Sequence, residues 1–444
     1  MSRPATKAAP ERLAVAEALR SAAEHFPRLG PSQFDPDHLV PQQRRLAVAI
    51  HRTVLQRWLT LEHLLNLHLH RPLRTLEPPM QAVLLSGAAQ IVFMDAIPTY
   101  AVVDQHAELA RYLVASRAAG MANAVLRRLG ELIIGTEHDQ TWEPAPDRLP
   151  AFEGVVHLGH NVLPDTRHLA EHLGLATSHP SILIHNWLDR FGPQQATAIA
   201  LHGIRRPATI VAVESDCPTG PTWTAHGQSG FVIWSGTHGQ LVEFLHGHPA
   251  RRVQDPASAL AVAAVADLPI ERIVDYGAGL GTKTRQLAAT FPTARIVATD
   301  INTTYLKVLG QQFRDNPAVT VTDLDQVAAT CGHRGADLVL LDVPCSNTAV
   351  LGRRPEARYR FGKIALARLT KLQRTMAELA IRLLRPTGWL LYSTCSLEPH
   401  ENQHQIKWIV EQFGATVLQQ HQQLPGGADG NSHDGSFFAL IQLP

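Results

Sequence analysis

From residue 251 onward, short apolar strands alternate with helical stretches, and this alternation constrains the fold more than any other feature of the sequence. Strand character is found at 273–276, 294–299, 319–322, 337–342 and 388–393, with helical stretches between or beside them. Strands that alternate with helices pair in parallel, because each helix carries the chain back to the end of the sheet at which the previous strand began. Residues 251–444 therefore predict a doubly wound α/β domain of the Rossmann-like type.

A glycine-rich loop follows the first predicted strand, where a helix is predicted to begin. The loop consists of Gly277, Ala278, Gly279, Leu280, Gly281, Thr282 and Lys283. Closely spaced glycines let a ligand approach the backbone, and the helix N-terminus offers it amide donors. Asp300, at the end of the second strand, is placed to accept from a ribose hydroxyl. The simpler alternative is a turn with a helix cap, but the order strand, loop, helix, strand and acid favours a cofactor.

The spacing of this loop favours S-adenosylmethionine over a dinucleotide, whose loop reads Gly-x-Gly-x-x-Gly. Lys283 is predicted to pair with the methionine carboxylate of that cofactor. Asp323, at the end of the third strand, is predicted to accept from its adenine amino group. Each of these charges, taken alone, is explained equally well as a solvated surface group.

Two of the predicted strands end close to a thiol. Asp342 and Cys345 follow one strand and Cys395 follows another, so all three lie at the edge of the sheet where ligands bind. Such a set suits methylation of a pyrimidine at C5: a thiolate adds to C6, C5 becomes nucleophilic, and an acid stabilises charge at N3. Asp342 takes the N3 role, and the chemistry leaves open which cysteine is the nucleophile. Two independent buried cysteines are the alternative.

A basic run lies between the two thiols. Residues 353–374 carry eight arginines and lysines against one acid, Glu356. This excess favours phosphate binding over a merely solvated helix, and Tyr359 is suited to stack on a base. Arg353, Arg354, Arg358 and Tyr359 are therefore predicted to bind RNA. The target base must be unpaired or flipped, because the thiol needs access to a ring face.

The first part of the chain, residues 1–140, is predicted to be an all-α bundle. Apolar residues recur there at the three- and four-residue spacing of one helix face: Leu46, Ile50, Val54, Trp58, Leu61 and Leu65. Residues 136–160 read as a linker rich in proline and glycine, and residues 141–250 as a whole are assigned to a linker and connector. Helices at 180–191 and 193–203 and β-rich segments at 208–214 and 231–235 then predict a small α+β connector.

Composition limits which partners, metals and cellular locations are expected. With 40 basic and 39 acidic residues the net charge is +1, so an RNA partner must be held by a local patch. The 24 histidines show no zinc-ligand spacing with the four cysteines, and no metal is expected. Sparse cysteines, the lack of a signal sequence and the lack of a long apolar segment predict a cytoplasmic protein without a membrane span. A monomer is favoured.

Segments in both halves of the chain resemble known families. The phrases LLSGAAQ (84–90), IPTYAVVD (97–104) and NAVLRR (123–128) resemble the NusB-like RNA-binding domain. The phrases DVPCSNT (342–348), RRPEARY (353–359) and YSTCSLEP (392–399) closely match the Fmu/Sun (RsmB-like) RNA cytosine-C5 methyltransferases. DGSFFA (434–439) is similar to that family's DGFFxA, with one extra residue.

This resemblance implies roles that the residues alone leave open. It implies that Cys395, in the TC phrase, is the nucleophile and that Cys345, in the PC phrase, helps to release the product. It also implies small-subunit ribosomal RNA as substrate and an RRM-like module within 141–250. The family's glycine loop, D-x-C-A-A-P-G-G-K-T, is altered here at Gly277, Gly279, Leu280 and Thr282, whereas Gly281 and Lys283 are kept.

The sequence thus predicts a three-part enzyme that methylates C5 of a cytosine in RNA through a covalent cysteine adduct at C6. One alternative is a non-catalytic, RNA-binding ribosome assembly factor with an attenuated cofactor site, which would not bind S-adenosylmethionine. Another is a small-molecule methyltransferase, which would tolerate charge reversal at Arg353 and Arg354.

Overall fold

The computed structural model describes residues 8–213, 220–248, 250–428 and 430–444. Cys217 and residue 214 of the predicted β-rich segment lie outside these ranges. The chain forms two compact units: unit 1 comprises Met1–Arg206 and Leu351–Phe361, and unit 2 comprises Pro207–Val350 and Gly362–Pro444. The three predicted ranges do not coincide with these units, because the predicted connector at 141–250 is divided between them.

The helices are α1 (Pro10–His25), α2 (Pro41–Asn66), α3 (Pro78–Phe93), α4 (Thr99–Leu113), α5 (Ala118–Leu132), α6 (Leu169–Ala176), α7 (Ser181–Ile204), α8 (His238–Leu245), α9 (Pro256–Ala263), α10 (Thr282–Thr290), α11 (Thr303–Gln312), α12 (Val327–Cys331), α13 (Ala357–Arg360), α14 (Lys363–Ile381) and α15 (Gln403–Phe413). Short 3-10 helices cover Leu73–Thr75 and Leu324–Gln326.

The strands are β1 (Ile133–Glu137), β2 (Arg148–Pro150), β3 (Val155–Leu158), β4 (Thr209–Ala212), β5 (Trp223–Ala225), β6 (Phe231–Trp234), β7 (Arg252–Val253), β8 (Arg272–Tyr276), β9 (Arg295–Thr299), β10 (Val319–Val321), β11 (Ala336–Asp342), β12 (Leu384–Thr394), β13 (Thr416–Gln423) and β14 (Ser436–Gln442).

Unit 1 begins with the predicted helical bundle, α1–α5. The apolar face of α2 is buried as expected, with Ile50, Val54, Leu61 and Leu65 fully covered. This helix is interrupted at Arg57, whose φ of −121° and ψ of 15° are not helical. Backbone donors and acceptors at such a break need partners from elsewhere in the fold.

The predicted linker at 136–160 is wrong in part, because it contains secondary structure. Strands β1, β3 and β2 form a three-stranded antiparallel sheet, with Glu137 opposite Val155 and Pro150 also opposite Val155. Strands of three to five residues among prolines and glycines carry too little alternation to be recognised in the sequence. The two helices predicted at 180–203 are present as α7, which is interrupted at Gly192 before Pro193.

Unit 2 is built on a seven-stranded sheet in the order β10-β9-β8-β11-β12-β14-β13. The first five strands in this order are parallel, which confirms the predicted α/β fold. Strands β14 and β13 add an antiparallel edge that was not predicted. The central strand β11 is apolar on both faces, and Leu338, Val339, Leu340 and Leu341 are fully buried.

The strand order of this sheet defines where a ligand can enter. From β8 the chain proceeds to β9 and β10 on one side, and then crosses to β11 and β12 on the other. Ligands of open α/β sheets bind at such a switch point, beyond the carboxyl ends of the strands. The glycine loop after β8 and Asp342 at the end of β11 both lie there.

A second sheet in unit 2 contains the C-terminal part of the predicted connector. Its order is β5-β6-β4-β7, and its pairs are antiparallel. Trp223 stacks on Trp234 with ring centroids 5.7 Å apart.

Among the residues that the structure describes, no helix is both long and apolar enough to cross a bilayer, and no group of three or more side chains is arranged to hold a metal ion.

Candidate functional site

The glycine loop after β8 leaves an open cradle at the start of α10. Gly277, Gly279 and Gly281 all have positive φ, at 88°, 58° and 81°. At Gly281 only glycine fits, because a Cβ would lie 2.7 Å from Leu309 Cδ2. In contrast, a Cβ on Gly279 would meet no atom within 4 Å. The loop is therefore packed against the protein on one side and open on the other.

Two predicted acids end the strands next to this loop. Asp300 anchors the loop, because its Oδ2 accepts from Gly279 N at 2.9 Å and its Oδ1 accepts from Asn302 N at 2.8 Å. Asp323 is exposed after β10, and its side chain does not cap the short helix that follows. The structure thus places Asp300 against the glycine loop and leaves Asp323 open to solvent.

A third acid, Asp275, has no role in the sequence interpretation. Its Oδ2 accepts from Thr284 Oγ1 at 2.6 Å, whereas its buried Oδ1 has no partner among the described residues. Burial raises the pKa of Asp275 to about 7, and the charge of Asp342 contributes to the rise. An unpartnered acceptor next to an open glycine cradle fits a ligand that brings a hydrogen-bond donor, such as the amino group of S-adenosylmethionine. Its only signal in the sequence is its place two residues before the first glycine of the loop.

Lys283 contacts the predicted catalytic acid, and its pairing with a cofactor carboxylate stays a prediction. Its Nζ donates to Asp342 Oδ2 at 2.6 Å, while Ser393 Oγ donates to Asp342 Oδ1 at 2.7 Å. Burial alone would lower the pKa of Lys283, but the charge and hydrogen bond of Asp342, together with Cys395 and Asp275, outweigh burial and the net pKa is raised. The lysine therefore stays charged, and together with Ser393 it orients Asp342.

The two predicted thiols meet. Strands β11 and β12 run in parallel with Asp342 opposite Ser393, so the segments that follow them rise side by side. Cys345 Sγ and Cys395 Sγ are 3.2 Å apart, and both cysteines are free thiols. Cys395 Sγ donates to Asn347 Oδ1 at 3.1 Å. Asn347 has a positive φ of 59° and donates through Nδ2 to Cys345 O at 2.9 Å, which fixes it beside both cysteines.

The environments of the two thiols differ. Cys345 is buried, whereas Cys395 is half-buried and borders solvent. The hydrogen bond with Cys395 raises the pKa of Cys345 well above its ordinary value, and burial raises it further. Cys345 is thus held as a thiol, and Cys395 is the sulfur that a bound nucleobase can reach.

The prediction that Arg358 and Tyr359 bind RNA is wrong, because both side chains are buried inside unit 1. Arg358 donates to carbonyl oxygens of the surrounding backbone: those of Gly203 at 2.6 Å, Pro355 at 3.1 Å, Thr177 at 3.2 Å and Leu351 at 3.2 Å. Tyr359 hydrogen-bonds the backbone at the break in α2. Its hydroxyl donates to Leu55 O at 2.8 Å and accepts from Trp58 N at 3.2 Å. These two residues hold unit 1 together.

Arg353 and Arg354 line a cavity of about 200 Å³ in unit 1. Arg52 and the stacked rings of Phe34 and His51, 4.4 Å apart, also line it. Burial lowers the pKa of Arg52, and the positive charges of Arg206 and Arg353 lower it further. The cavity is therefore strongly positive, although Glu356 also borders it. Arg52 and Arg206 were missed because they lie far from the basic run in sequence.

Arg360 is exposed at the end of α13 in unit 1, and the remaining four basic residues of the run belong to unit 2. Lys363, Arg368, Lys371 and Arg374 are exposed on α14, and the Arg374 guanidinium lies 5.1 Å from the centre of the Trp408 ring. The run that is continuous in sequence is thus split in the fold between a buried segment, a cavity rim and a solvated helix.

Comparison with known proteins agrees with this architecture. Residues 263–431 match the family described as 16S rRNA methyltransferase RsmB/F, and residues 10–131 match the NusB family. Ribosomal RNA small subunit methyltransferase B of Xanthomonas campestris pv. campestris is 28% identical over 418 residues, which cover 90% of this chain and 89% of that protein. The protein of the same name from Erwinia tasmaniensis is 26% identical over 451 residues, which cover 96% and 95%.

Solved structures show the same fold. The crystal structure of PH0851 superposes with a TM-score of 0.72 at 20% identity, covering 98% of this chain and all (100%) of that one. A methyltransferase homologue from Pyrococcus horikoshii gives a TM-score of 0.51 at 19% identity and covers 63% of this chain and 100% of that one. The chain thus contains a NusB-family domain followed by a domain that matches the RsmB/F methyltransferase model, and it is similar along nearly its whole length to proteins named ribosomal RNA small subunit methyltransferase B.

Proposed function

We propose that this protein methylates C5 of a cytosine in small-subunit ribosomal RNA, with S-adenosylmethionine as the methyl donor. The observation that carries the proposal is the 3.2 Å approach of Cys345 Sγ and Cys395 Sγ on the sheet edge that also presents Asp342. Methyl transfer to nitrogen or oxygen needs no thiol, whereas C5 of a pyrimidine must first be activated by nucleophilic addition. The relatives that match nearly the whole chain are called ribosomal RNA small subunit methyltransferase B, which supports small-subunit ribosomal RNA as the substrate.

The residues of unit 2 suit the cofactor. The glycine loop from Gly277 to Lys283 would hold it beside the N-terminus of α10, with Asp300 near the ribose and Asp323 near the adenine. Asp275 would receive a donor from the ligand through its unpartnered Oδ1. When bound, S-adenosylmethionine supplies an electrophilic methyl group.

The protein residues supply the activation of the base. Cys395 forms the bond to C6 as the nucleophile, because it is the more accessible thiol and Cys345 is held protonated. The thiol proton of Cys395 leaves as its sulfur bonds to C6, the displaced electron pair of the C5–C6 double bond moves to N3, and N3 takes up that proton and holds it in a hydrogen bond to the Asp342 carboxylate, so that C5 becomes enamine-like. Once C5 is methylated, its proton passes to solvent, the electron pair of that C–H bond reforms the C5–C6 double bond and expels the Cys395 sulfur from C6, and the proton on N3 returns to that sulfur. Cys345, 3.2 Å from that sulfur, is placed to assist its release.

Two positively charged surfaces are proposed to hold the RNA. In unit 1, Arg52, Arg353 and Arg354 surround the cavity beside Phe34 and suit a phosphate next to an unpaired base. In unit 2, the exposed basic residues of α14 suit further backbone phosphates.

The test is bisulfite mapping of ribosomal RNA from cells whose only copy carries Cys395→Ala, beside the wild type. We expect one methylated cytosine of the small subunit to be lost. Cys331→Ala is the control, because Cys331 is a buried cysteine of the same unit that donates to Gly332 O, away from the site. Unchanged methylation in Cys395→Ala would contradict the proposal. Failure of the purified protein to bind S-adenosylmethionine would instead favour an RNA-binding assembly factor.

A further inference from the structure

A buried carboxylate lies behind the two thiols. Glu401 is fully buried in the turn between β12 and α15. Its backbone is fixed in this turn, because Glu401 N donates to Glu398 O at 3.0 Å and Glu401 O accepts from the Tyr392 hydroxyl at 2.7 Å. The carboxylate therefore points from a rigid turn toward the segments that carry the cysteines.

Both segments bind this one carboxylate. Ser346, the residue after Cys345, donates to Glu401 through its backbone N at 2.9 Å and through its hydroxyl. Ser396, the residue after Cys395, donates through Oγ at 2.6 Å. The two serine hydroxyls are themselves 3.1 Å apart. The same pair of atoms on Glu401 thus fixes the position that follows each thiol.

Gln373 of α14 completes the arrangement. Its Nε2 donates to Glu401 Oε1 at 3.0 Å and also to Pro344 O at 3.0 Å, in the residue before Cys345. The donors to Glu401 named here are all neutral backbone, hydroxyl and amide groups. Burial of a carboxylate is costly unless its oxygens are occupied in this way. In a Glu401→Gln protein, the side-chain NH2 group would face one of the donors from Ser346, Ser396 or Gln373 and could not accept a hydrogen bond from it.

The geometry points to Glu401 as a positioning residue that fixes the separation of Cys345 and Cys395 and so allots the two thiols different roles, an inference that rests on the proposed function. Glu401 touches neither sulfur and acts through Ser346 and Ser396. Its negative charge also contributes to the raised pKa of Cys345, after the contact with Cys395 and burial. Among the described residues, Tyr392 also interacts with Cys345 and Lys283 also interacts with Cys395.

The test compares the full-length wild type with Glu401→Gln. Two quantities are measured: kcat and KM for methyl transfer to ribosomal RNA, and the pH dependence of alkylation of Cys345 and Cys395 by iodoacetamide without RNA, read by mass spectrometry. Displacement of a thiol by about 1 Å is expected to lower kcat by about 100-fold, with KM for RNA unchanged. Cys345 should become reactive at lower pH, because a nearby negative charge has been removed.

Glu411→Gln is the matched control, because Glu411 lies exposed on α15, where it pairs with Lys407 at 3.7 Å, and this variant should behave as wild type. A Glu401→Gln protein with unchanged kcat and an unchanged Cys345 profile would overturn the inference, as would a protein that only melts earlier without any change in that profile. If Glu401→Gln does not fold, Ser396→Ala decides: it should lower kcat by about 10-fold through looser placement of Cys395, and an unchanged kcat would overturn the inference. If the wild type itself transfers no methyl group, the proposed function fails, whereas the alkylation profiles still test the role of Glu401.

Discussion

The burial of Arg358 predicts that its replacement destabilises the protein and does not simply weaken RNA binding. In Arg358→Met the aliphatic stem is kept and the guanidinium is lost. Four backbone carbonyls of unit 1 then lose a donor within 3.2 Å: those of Gly203, Pro355, Thr177 and Leu351. Buried acceptors without a partner are costly, so Arg358→Met should lower the free energy of unfolding of unit 1.

The magnitude follows from these contacts. A hydrogen bond from a charged donor contributes about 1.5–3 kcal/mol. Burial of the guanidinium, which lowers the pKa of Arg358, offsets part of the sum. With two of the four bonds counted, the free energy of unfolding falls by about 3–6 kcal/mol. For a unit of this size, 1 kcal/mol corresponds to about 2–4 °C, so even 3 kcal/mol lowers the melting temperature by roughly 6–12 °C.

Differential scanning calorimetry measures this shift, with Arg354→Met as the matched control. Arg354 lies four residues earlier in the same segment and is exposed, so its replacement should leave the melting temperature unchanged. If Arg358→Met melts with the wild type while its RNA affinity falls, Arg358 is a surface contact and the structural role assigned to it is wrong.

Three further predictions concern the site and its RNA. Because burial raises the pKa of Asp275 to about 7 from 3.8, the folded protein holds more protons than the unfolded chain between these values, so the free energy of unfolding should fall as pH rises across that window. Denaturant titrations should show Asp275→Asn with a flatter pH dependence, and an unchanged slope would contradict this burial effect. Cys345→Ala should accumulate protein covalently bound to RNA, visible as a slower band in denaturing gels, whereas Cys345→Ala combined with Cys395→Ala should not; adduct in the double variant would exclude Cys395 as the nucleophile. Arg52→Met and Arg354→Met should each reduce the slope of log affinity for single-stranded RNA against log salt by about 0.7, and unaltered slopes would exclude the cavity as a phosphate site.

The parts of the fold that the sequence predicts are those with strong local patterns. Strand β8 leads into a glycine loop, and β11 contains a continuous apolar run shortly before a proline, so both their parallel pairing and the meeting of Asp342, Cys345 and Cys395 at one edge could be expected. The short strands β1 to β3 lack such a pattern, and the edge strand β13 is largely polar and exposed.

The errors arise from contacts between residues distant in sequence. Arg358 and Tyr359 lie in a run of charges that resembles a solvated face, and only the break at Arg57, some 300 positions earlier, accounts for their burial. Lys283 contacts Asp342 because β8, whose loop leads into α10, lies next to β11 in the sheet, a neighbour relation that no local pattern contains. Glu401 was missed for the same reason, since its partners Ser346 and Gln373 come from other elements of the fold.

The most direct test of the proposed chemistry is covalent trapping on RNA that contains 5-fluorocytidine, in the presence of S-adenosylmethionine. Fluorine takes the place of the C5 proton that a base must remove before the sulfur can be expelled. Because a base cannot remove fluorine in this way, the sulfur that has added to C6 stays attached to the nucleotide. Peptide mapping by mass spectrometry should find the nucleotide on Cys395, and Cys395→Ala should give no adduct. A nucleotide on Cys345, or no adduct on the wild type, would contradict the assignment of Cys395 as the nucleophile of a cytosine-C5 methyltransferase.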